Sequence, residues 1–352
     1  MGADEITRAE APKSHFMALD GLRGVAAFAV LALHLPPLDR LVPHAYLAVD
    51  LFFIMSGFVV AHAYERRLLD GWSVGAFIRT RIVRLWPLYL LGTAIGAAVF
   101  ASVATGLDGF AALAVLIAAA VLMIPLPLGA DVQIFNLNRP AWSLFFEMVA
   151  NILYAIFARR LSDRILTMLV ALGAIAVATT FLSADSGSLG HHGASMAGGA
   201  ARILFAFPLG VLLHRMWAAG RLTLRWPAAV AFGLFVAVML LPDVAGWNGL
   251  IDAAAVLLVL PLVTVAAITA RLSPRASRAA AVLALMSYPL YILHGPIVMG
   301  FGQMLGERPL ASGLGGTVSL VAAFVAARWF DGPARRLLAR VLTQRQAATT
   351  TA

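Results

Sequence analysis

An arginine and a histidine in the first apolar segment are the residues best suited to chemistry. Arg23 and His34 lie eleven positions apart, close to three helical turns and about 16 Å along a helix axis, so both project from one face. A histidine can accept a proton from an alcohol near neutral pH, and an arginine can hold an anion. The pair therefore suits an elongated substrate with an anionic part near Arg23 and a reactive end near His34. The same residues would also occur without any chemistry, if Arg23 only anchored the span through Asp20 and His34 lay at the membrane interface.

A carboxylate next to the following apolar run needs a partner. Asp50 precedes the run at 51–58, and an unpaired charge is costly in an apolar setting. The natural partner is an arginine or histidine of the first segment. A contact with His34 would fix the tautomer of the imidazole and stabilise its charged form, as in a catalytic triad. Ser56 and Gly57 in this run are more typical of helix packing than of nucleophiles.

Other ionisable side chains inside apolar segments are functional candidates, because a charge there costs about 2 to 4 kcal/mol on insertion scales. Glu147 fits a proton acceptor, a ligand of a substrate hydroxyl or a partner of Arg23. His294 fits a second catalytic histidine or a structural hydrogen-bonding one. Arg202 and Asp252 fit a charge pair. The candidate catalytic residues are His34, Arg23, Asp50 and Glu147, and the candidate substrate-binding residues are Trp142, Asn138 and His294.

Three arginines precede the Trp86-Pro87 dipeptide at the expected membrane surface. Arg79, Arg81 and Arg84 are spaced so that the last two share a helix face. Guanidinium groups bind phosphates in a bidentate manner, so this cluster is a candidate site for a nucleotide-bearing cofactor. A topology signal or a site for anionic lipid explains the same cluster. No metal-ligand spacing, phosphate-binding loop or dinucleotide fingerprint is present, and we expect no metal.

Composition places the chain in a membrane. Its 352 residues are 61% hydrophobic and 12% charged and include no cysteine, which is too apolar for a soluble domain and excludes disulfide or thiol chemistry. Long apolar runs predict helices rather than a barrel, so the predicted fold is all-α. The net charge of +9 lies in short loops between apolar runs, which indicates membrane topology rather than nucleic-acid binding.

Eleven apolar segments are predicted within one membrane domain, 1–352, with a short cytoplasmic segment at 1–16 and a cytoplasmic tail at 336–352. Arginine-rich loops alternate with arginine-free ones, as the positive-inside rule requires, except that three segments separate Arg84 from Arg159. One of the three should not cross, and the break is best placed at 110–140, which is interrupted by prolines and asparagines. We therefore expect about ten spans, a re-entrant or broken segment, and both termini in the cytoplasm. The segments fall at about 21–38, 45–63, 85–105, 110–128, 141–158, 165–182, 198–216, 227–242, 250–270, 281–304 and 312–330.

Several blocks in order resemble the acyltransferase 3 family of membrane proteins, which modify cell-surface glycans and related hydroxyl compounds. The match covers nearly the whole chain, although 146–150 lacks the double acid and aromatic ending common in the family. The matching blocks are 19–24 leading to His34, 49–58, the pair Arg81 and Arg84, 142–147, 287–294 and 331–335.

The resemblance implies a bundle of ten spans in a bacterial inner membrane that uses acyl-coenzyme A, with acetyl-coenzyme A expected, from the cytoplasm. The nucleotide would bind near the arginine loop, and His34 would act as a general base or as a transient acyl carrier. Arg23 would position the donor or active-site groups. The acceptor would be a sugar or glycan hydroxyl on the periplasmic side. A secondary transporter in contact with membrane lipid is the alternative, although no inverted repeat is evident; oligomeric state stays open.

Overall fold

The chain is all α-helical in the part that the structure describes. A computed structural model describes residues 16–306 and 308–350, within which there are eleven helices and no strand, as the sequence predicts. Helix α9 contains a π-helical turn at Ala255–Val259, and a second one at Ala326–Phe330 joins the two parts of α11. The helices are α1 Met17–Leu33, α2 Ala48–Leu69, α3 Val74–Ala101, α4 Gly106–Val121, α5 Ala141–Phe157, α6 Asp163–Ala184, α7 Met196–Ala218, α8 Ala228–Met239, α9 Asn248–Thr269, α10 Pro274–Leu305, and α11 in two parts, Pro309–Val325 and Asp331–Thr350.

The molecule is a multi-pass membrane protein. Seven of the described helices, α2, α3, α6, α7, α9, α10 and α11, are long and apolar enough to cross a bilayer. The other four, α1, α4, α5 and α8, have 12 to 17 residues each. Ten crossings and cytoplasmic termini therefore stay predictions, and the predicted cytoplasmic segment at 1–16 lies outside the described residues except for its last one.

Serine residues determine where three of the long helices begin. The side chain of Ser73 accepts a hydrogen bond from the backbone of α3 at 3.2 Å, and Ser162 and Ser273 do the same for α6 and α10 at 3.3 Å. Each cap satisfies a backbone N–H that the first helical turn leaves without a partner. The cap at Ser73 thereby sets the start of α3, which carries the arginine cluster.

Two close helix pairs arrange the interior of the bundle. Helix α2 lies against α7, where Gly57 and Gly210 face each other so closely that a Cβ on either would collide with the opposite backbone. Small residues allow such approach in membranes, and the predicted packing role of Gly57 is confirmed. Helix α1 lies along α10, which brings the helix of Arg23 and His34 beside the helix of His294.

The predicted break between the third and fifth segments is present. Helix α4 ends at Val121, and residues 122–140 are irregular and partly buried. The backbone of Leu137 packs directly on Gly96 of α3, where a Cβ would not fit. The backbone N–H of Ile134 donates to the carbonyl of His191 at 3.0 Å, which ties this segment to the loop at 185–195. Residues 133–138 are thus buried or half-buried by the surrounding helices and loop, the condition under which irregular backbone is tolerated inside a membrane.

Candidate active site

Two cavities lie along α1, one near each end. The first, of about 110 Å³, contains four arginines and one glutamate, and we call it the arginine cavity. The second, of about 160 Å³, contains three histidines, and we call it the histidine cavity. Arg23 lines the arginine cavity and His34 the histidine cavity, so the two residues of one helix face different cavities; their roles stay predictions. The charged lining of the arginine cavity is Arg23, Arg81, Arg84, Glu147 and Arg335, and the polar lining of the histidine cavity includes His34, Tyr46, Gln133, Arg139, His191, Arg202 and His294.

Glu147 is held by a partner other than the one that the sequence suggested. Its Oε1 accepts hydrogen bonds from Nη2 of Arg81 and from the hydroxyl of Ser56, both at 2.7 Å. Arg23 instead lies 3.8 Å from the carboxylate of Asp20. Of the three roles left open for Glu147, the pair with Arg23 is not formed, because Arg81 of α3 takes that place. Glu147 neutralises one arginine and leaves the cavity lining with excess positive charge.

Only two of the three clustered arginines reach this cavity. Arg81 and Arg84 line it, one almost fully buried and the other half-buried, whereas Arg79 is not among its lining residues. Positions three apart share a helix face, and positions two apart do not. The assignment of Arg79 to the same anion site is thus not supported by the placement of its side chain.

His34 has a free basic nitrogen in the histidine cavity. Its Nδ1 lies 2.8 Å from the carbonyl of Val30. Because a carbonyl can only accept, Nδ1 carries the hydrogen, and in the neutral ring Nε2 keeps its lone pair. The side chain is exposed where it lines the cavity. This neutral tautomer is the one that accepts a proton from an alcohol.

A second histidine lies directly beside it. The ring centroids of His34 and His294 are 5.0 Å apart, and Nδ1 of His294 donates to the carbonyl of Leu290 at 3.1 Å. Its Nε2 is buried and has no hydrogen-bond partner among the described residues. Buried polar atoms without a partner are uncommon and call for an explanation such as a bound substrate or water. His294 lines the same cavity as His34, and its substrate-binding role stays a prediction.

Asp50 does not contact His34. Both carboxylate oxygens accept from Arg202 of α7, at 3.0 and 2.7 Å, and neither side chain is more than 1% exposed. The expected partner from the first segment is therefore wrong, because the close α2–α7 packing supplies one from a distant part of the chain. Arg202 also lies 5.2 Å from the ring of Trp142 and lines the histidine cavity. Asp50 thus orients a cavity-lining arginine and is a positioning residue.

Asp252 pairs with a histidine instead of Arg202, which corrects the other predicted charge pair. Its Oδ1 lies 2.6 Å from Nδ1 of His44, and the other ring nitrogen lies 3.3 Å from the carbonyl of Pro242. Because both neighbours only accept, both ring nitrogens donate, and His44 is the imidazolium. Burial lowers the pKa of His44, but the hydrogen bond and charge of Asp252 outweigh it and raise the pKa above the ordinary value.

This pair should make stability depend on pH. Because the folded-state pKa of His44 lies above the unfolded value of about 6.5, the pair stabilises the fold fully below that pH and less as pH rises through the folded-state pKa. We expect the stability advantage of the native protein over His44→Gln to shrink between pH 6 and pH 9. Thermal unfolding in detergent measures it, and a difference that stays constant with pH would contradict the assignment.

The two remaining substrate-binding candidates lie in different places. Trp142 lines the histidine cavity, but Asn138 does not: its buried amide packs toward Gly92 of α3 and has no hydrogen-bond partner among the described residues. Its neighbour Arg139 lines the cavity instead. The loop residue His191, which sequence reasoning missed, also lines it; burial, with the charges of nearby groups, lowers the pKa of His191 to about 4 and keeps the ring neutral. The sequence signal that could have identified this residue was an adjacent pair of histidines in the loop.

Comparison with known proteins shows the family of the chain. A family model described as an acyltransferase domain, that of the acyltransferase 3 family, matches residues 17–329. The chain belongs to the acyltransferase 3 family. One similar relative of this acyltransferase is "Protein 2 in picA locus" from Rhizobium radiobacter, 36% identical over 180 residues, which are 47% of this chain and 94% of the relative. No solved structure matches the chain. The family model covers all the lining residues of the histidine cavity and all those of the arginine cavity except Arg335.

Proposed function

We propose that the protein transfers an acyl group, with acetyl expected, from acyl-coenzyme A on the cytoplasmic side to a hydroxyl of a sugar or glycan on the periplasmic side of a bacterial inner membrane. The observation that carries this proposal is the lone pair on Nε2 of His34, which faces a cavity at the opposite end of α1 from an arginine-rich one. Membership of an acyltransferase family supports the reaction class.

The arginine cavity suits the donor. Coenzyme A carries several phosphate charges, and guanidinium groups bind phosphate through two parallel hydrogen bonds. Arg84 is half-buried in the lining and Arg23 is 26% exposed, so both can meet a ligand. Arg81 is almost fully buried and already donates to Glu147. We therefore assign donor binding chiefly to Arg84 and Arg23, and assign Arg81 to shaping the site.

The histidine cavity suits a hydroxyl-rich acceptor. Its lining combines the indole of Trp142 with a cationic donor, Arg139, and a neutral donor, His191. Binding sites for small polar molecules combine an apolar surface with a few placed polar groups in this way. An acceptor hydroxyl bound here lies beside the basic nitrogen of His34. The carbonyl of Val30 fixes that ring through Nδ1.

In the proposed reaction, Nε2 of His34 accepts the proton of the acceptor hydroxyl while the oxygen of that hydroxyl attacks the thioester carbon. A C–O bond forms, the C–S bond breaks, and the proton returns from the imidazolium to the departing thiolate. The products are the acyl ester and free coenzyme A, so atoms and charges balance. A transient acyl group on His34 would give the same products in two steps.

Mass spectrometry of envelope glycans and lipids, from cells with and without the gene, tests this proposal. We expect the gene to add one acyl mass to a hydroxyl-bearing species, and membranes supplied with labelled acetyl-coenzyme A to transfer the label to it. Unchanged envelope masses together with no label transfer would overturn the proposal. Counterflow of an unmodified solute would support a transporter instead.

Arg84→Gln should weaken donor binding with little effect on the chemical step. Losing one phosphate-binding guanidinium removes a charge-assisted contact worth about 1.5 to 3 kcal/mol, which corresponds to an increase of roughly tenfold or more in the KM for the donor. Initial rates across a donor titration measure it. Arg66→Gln removes the same charge from a side chain that is 95% exposed and does not line the cavity, and should leave the KM unchanged. If the donor titration of Arg84→Gln superimposes on that of the native protein, Arg84 does not bind the donor and serves only as a topology signal.

A further inference from the structure

One residue lines both cavities. Among the described residues, Tyr291 of α10 is the only one that lines both the arginine cavity and the histidine cavity. It is 8% exposed. The proposed reaction needs the acyl end of a donor held at the arginines to reach His34, so the donor must pass the ring of Tyr291. This inference rests on the proposed function.

The ring is held in place by contacts that can be broken without unfolding a helix. The hydroxyl of Tyr291 lies 2.7 Å from that of Ser143 in the first turn of α5, and 3.4 Å from the carbonyl of Pro140. On α2, Phe52 meets the ring edge to face at a centroid distance of 5.3 Å. One neutral hydrogen bond contributes only modestly to stability, and a rotation of the side chain breaks no backbone hydrogen bond of α10. The position can therefore open and close.

We propose that Tyr291 and Ser143 form a gate between the two cavities, which admits the acyl end of the donor and limits its size. Closed, the gate keeps the acceptor side apart from the thioester, which protects the donor from reaction with water. Open, it leaves a passage between Phe52 and Ser143 whose width restricts the acyl group. Tyr291 is thus a specificity-determining residue. Its ring also lies near His294, at a centroid distance of 6.1 Å, so opening the gate leads directly to the histidine pair.

Cysteine accessibility tests the gate without requiring any acyl transfer. The chain contains no cysteine, and two valines of α2 form a matched pair: Val49 lines the histidine cavity and Val59 the arginine cavity. Each is replaced by cysteine and treated with an anionic methanethiosulfonate, applied to one membrane face at a time in oriented vesicles. Val59→Cys establishes access from the arginine face. Modification of Val49→Cys from that face should be slow with Tyr291 present and at least tenfold faster with Tyr291→Ala.

The variant Tyr291→Phe keeps the ring and removes the bond to Ser143, so it should give a smaller, several-fold acceleration. The Val59→Cys rate should be the same in all three backgrounds. Equal Val49→Cys rates with and without the ring of Tyr291 would overturn the gate, whether or not the protein proves to be an acyltransferase.

Donor selectivity tests the size limit. We expect Tyr291→Ala to raise the ratio of kcat/KM for butyryl- over acetyl-coenzyme A about tenfold. Tyr64→Ala is the matched control, because Tyr64 is a buried tyrosine that lines neither cavity; its ratio should not change. Transfer by the native protein with an unaltered ratio in Tyr291→Ala would overturn the size limit and leave the proposed function standing. Absence of any transfer by the native protein would count against the proposed function, and the accessibility rates would still decide the gate.

Discussion

His34→Asn is expected to lower the rate of acyl transfer about 10² to 10⁴-fold, the range that a positioned general base contributes. The asparagine amide can still donate to the carbonyl of Val30, as Nδ1 of the native ring does at 2.8 Å. It has no basic nitrogen at the position of Nε2. The variant therefore removes the proton acceptor while keeping the local hydrogen bond, and transfer of labelled acetyl groups in membranes of equal protein content measures the loss.

The control for this variant is the same substitution at His62, a half-buried histidine outside both cavities. His62 lines neither cavity and lies among Phe58 and Trp217 at ring-centroid distances of 6.4 and 5.5 Å. His62→Asn should retain transfer when its protein level is matched. If His34→Asn keeps activity within threefold of the native protein, the imidazole has no role in the reaction and the proposed chemistry must be abandoned.

Arg202→Met should destabilise the fold by about 3 to 5 kcal/mol, the usual cost of removing one partner from a buried ion pair. Asp50 is 0% exposed and would be left as an uncompensated carboxylate beside the apolar core. The carbonyls of Leu189 and Tyr46 would lose donors at 2.7 and 2.9 Å. The free energy of unfolding, from denaturant titration of the purified protein in detergent, measures the effect.

Two comparisons isolate the buried charge as the cause. The double variant Arg202→Met with Asp50→Leu removes both charges and should recover part of the lost stability, since apolar replacement of a whole buried pair is often tolerated. Asp70→Asn breaks a surface pair whose side chains are 95% and 71% exposed, with a separation of 3.8 Å; its effect should be small. A double variant less stable than Arg202→Met alone would show that lost packing, not charge, dominates.

The buried pair also connects the fold to the site. Arg202 lies near the ring of Trp142 and reaches the loop at 185–195 through Leu189. That loop carries His191 and pairs with the irregular segment at Ile134. Part of the histidine cavity is therefore built from non-helical segments that Arg202 connects to the bundle. Loops positioned by a rigid scaffold are where proteins commonly place binding residues.

Helix-level features were predictable from the sequence because they depend on neighbouring residues. Apolar runs determined the all-α membrane bundle, and their prolines and polar residues located the break before α5. The spacing of Arg23 and His34 predicted a helix whose two ends serve different sites, and the three-residue spacing of Arg81 and Arg84 predicted a shared face. Helical periodicity is local, so these inferences need no knowledge of packing.

The choice of partners was decided only by the tertiary structure. Asp50 pairs with Arg202, 152 positions away, and Glu147 with Arg81, 66 positions away. Nothing in the local sequence selects these pairs over a partner in the first helix. The selection comes from how closely helices approach, which at α2 and α7 depends on Gly57 facing Gly210. The same packing places His34 beside His294 and places one tyrosine ring in the lining of both cavities. A helix fixes the direction of a side chain, but the neighbouring helices determine which residues it contacts.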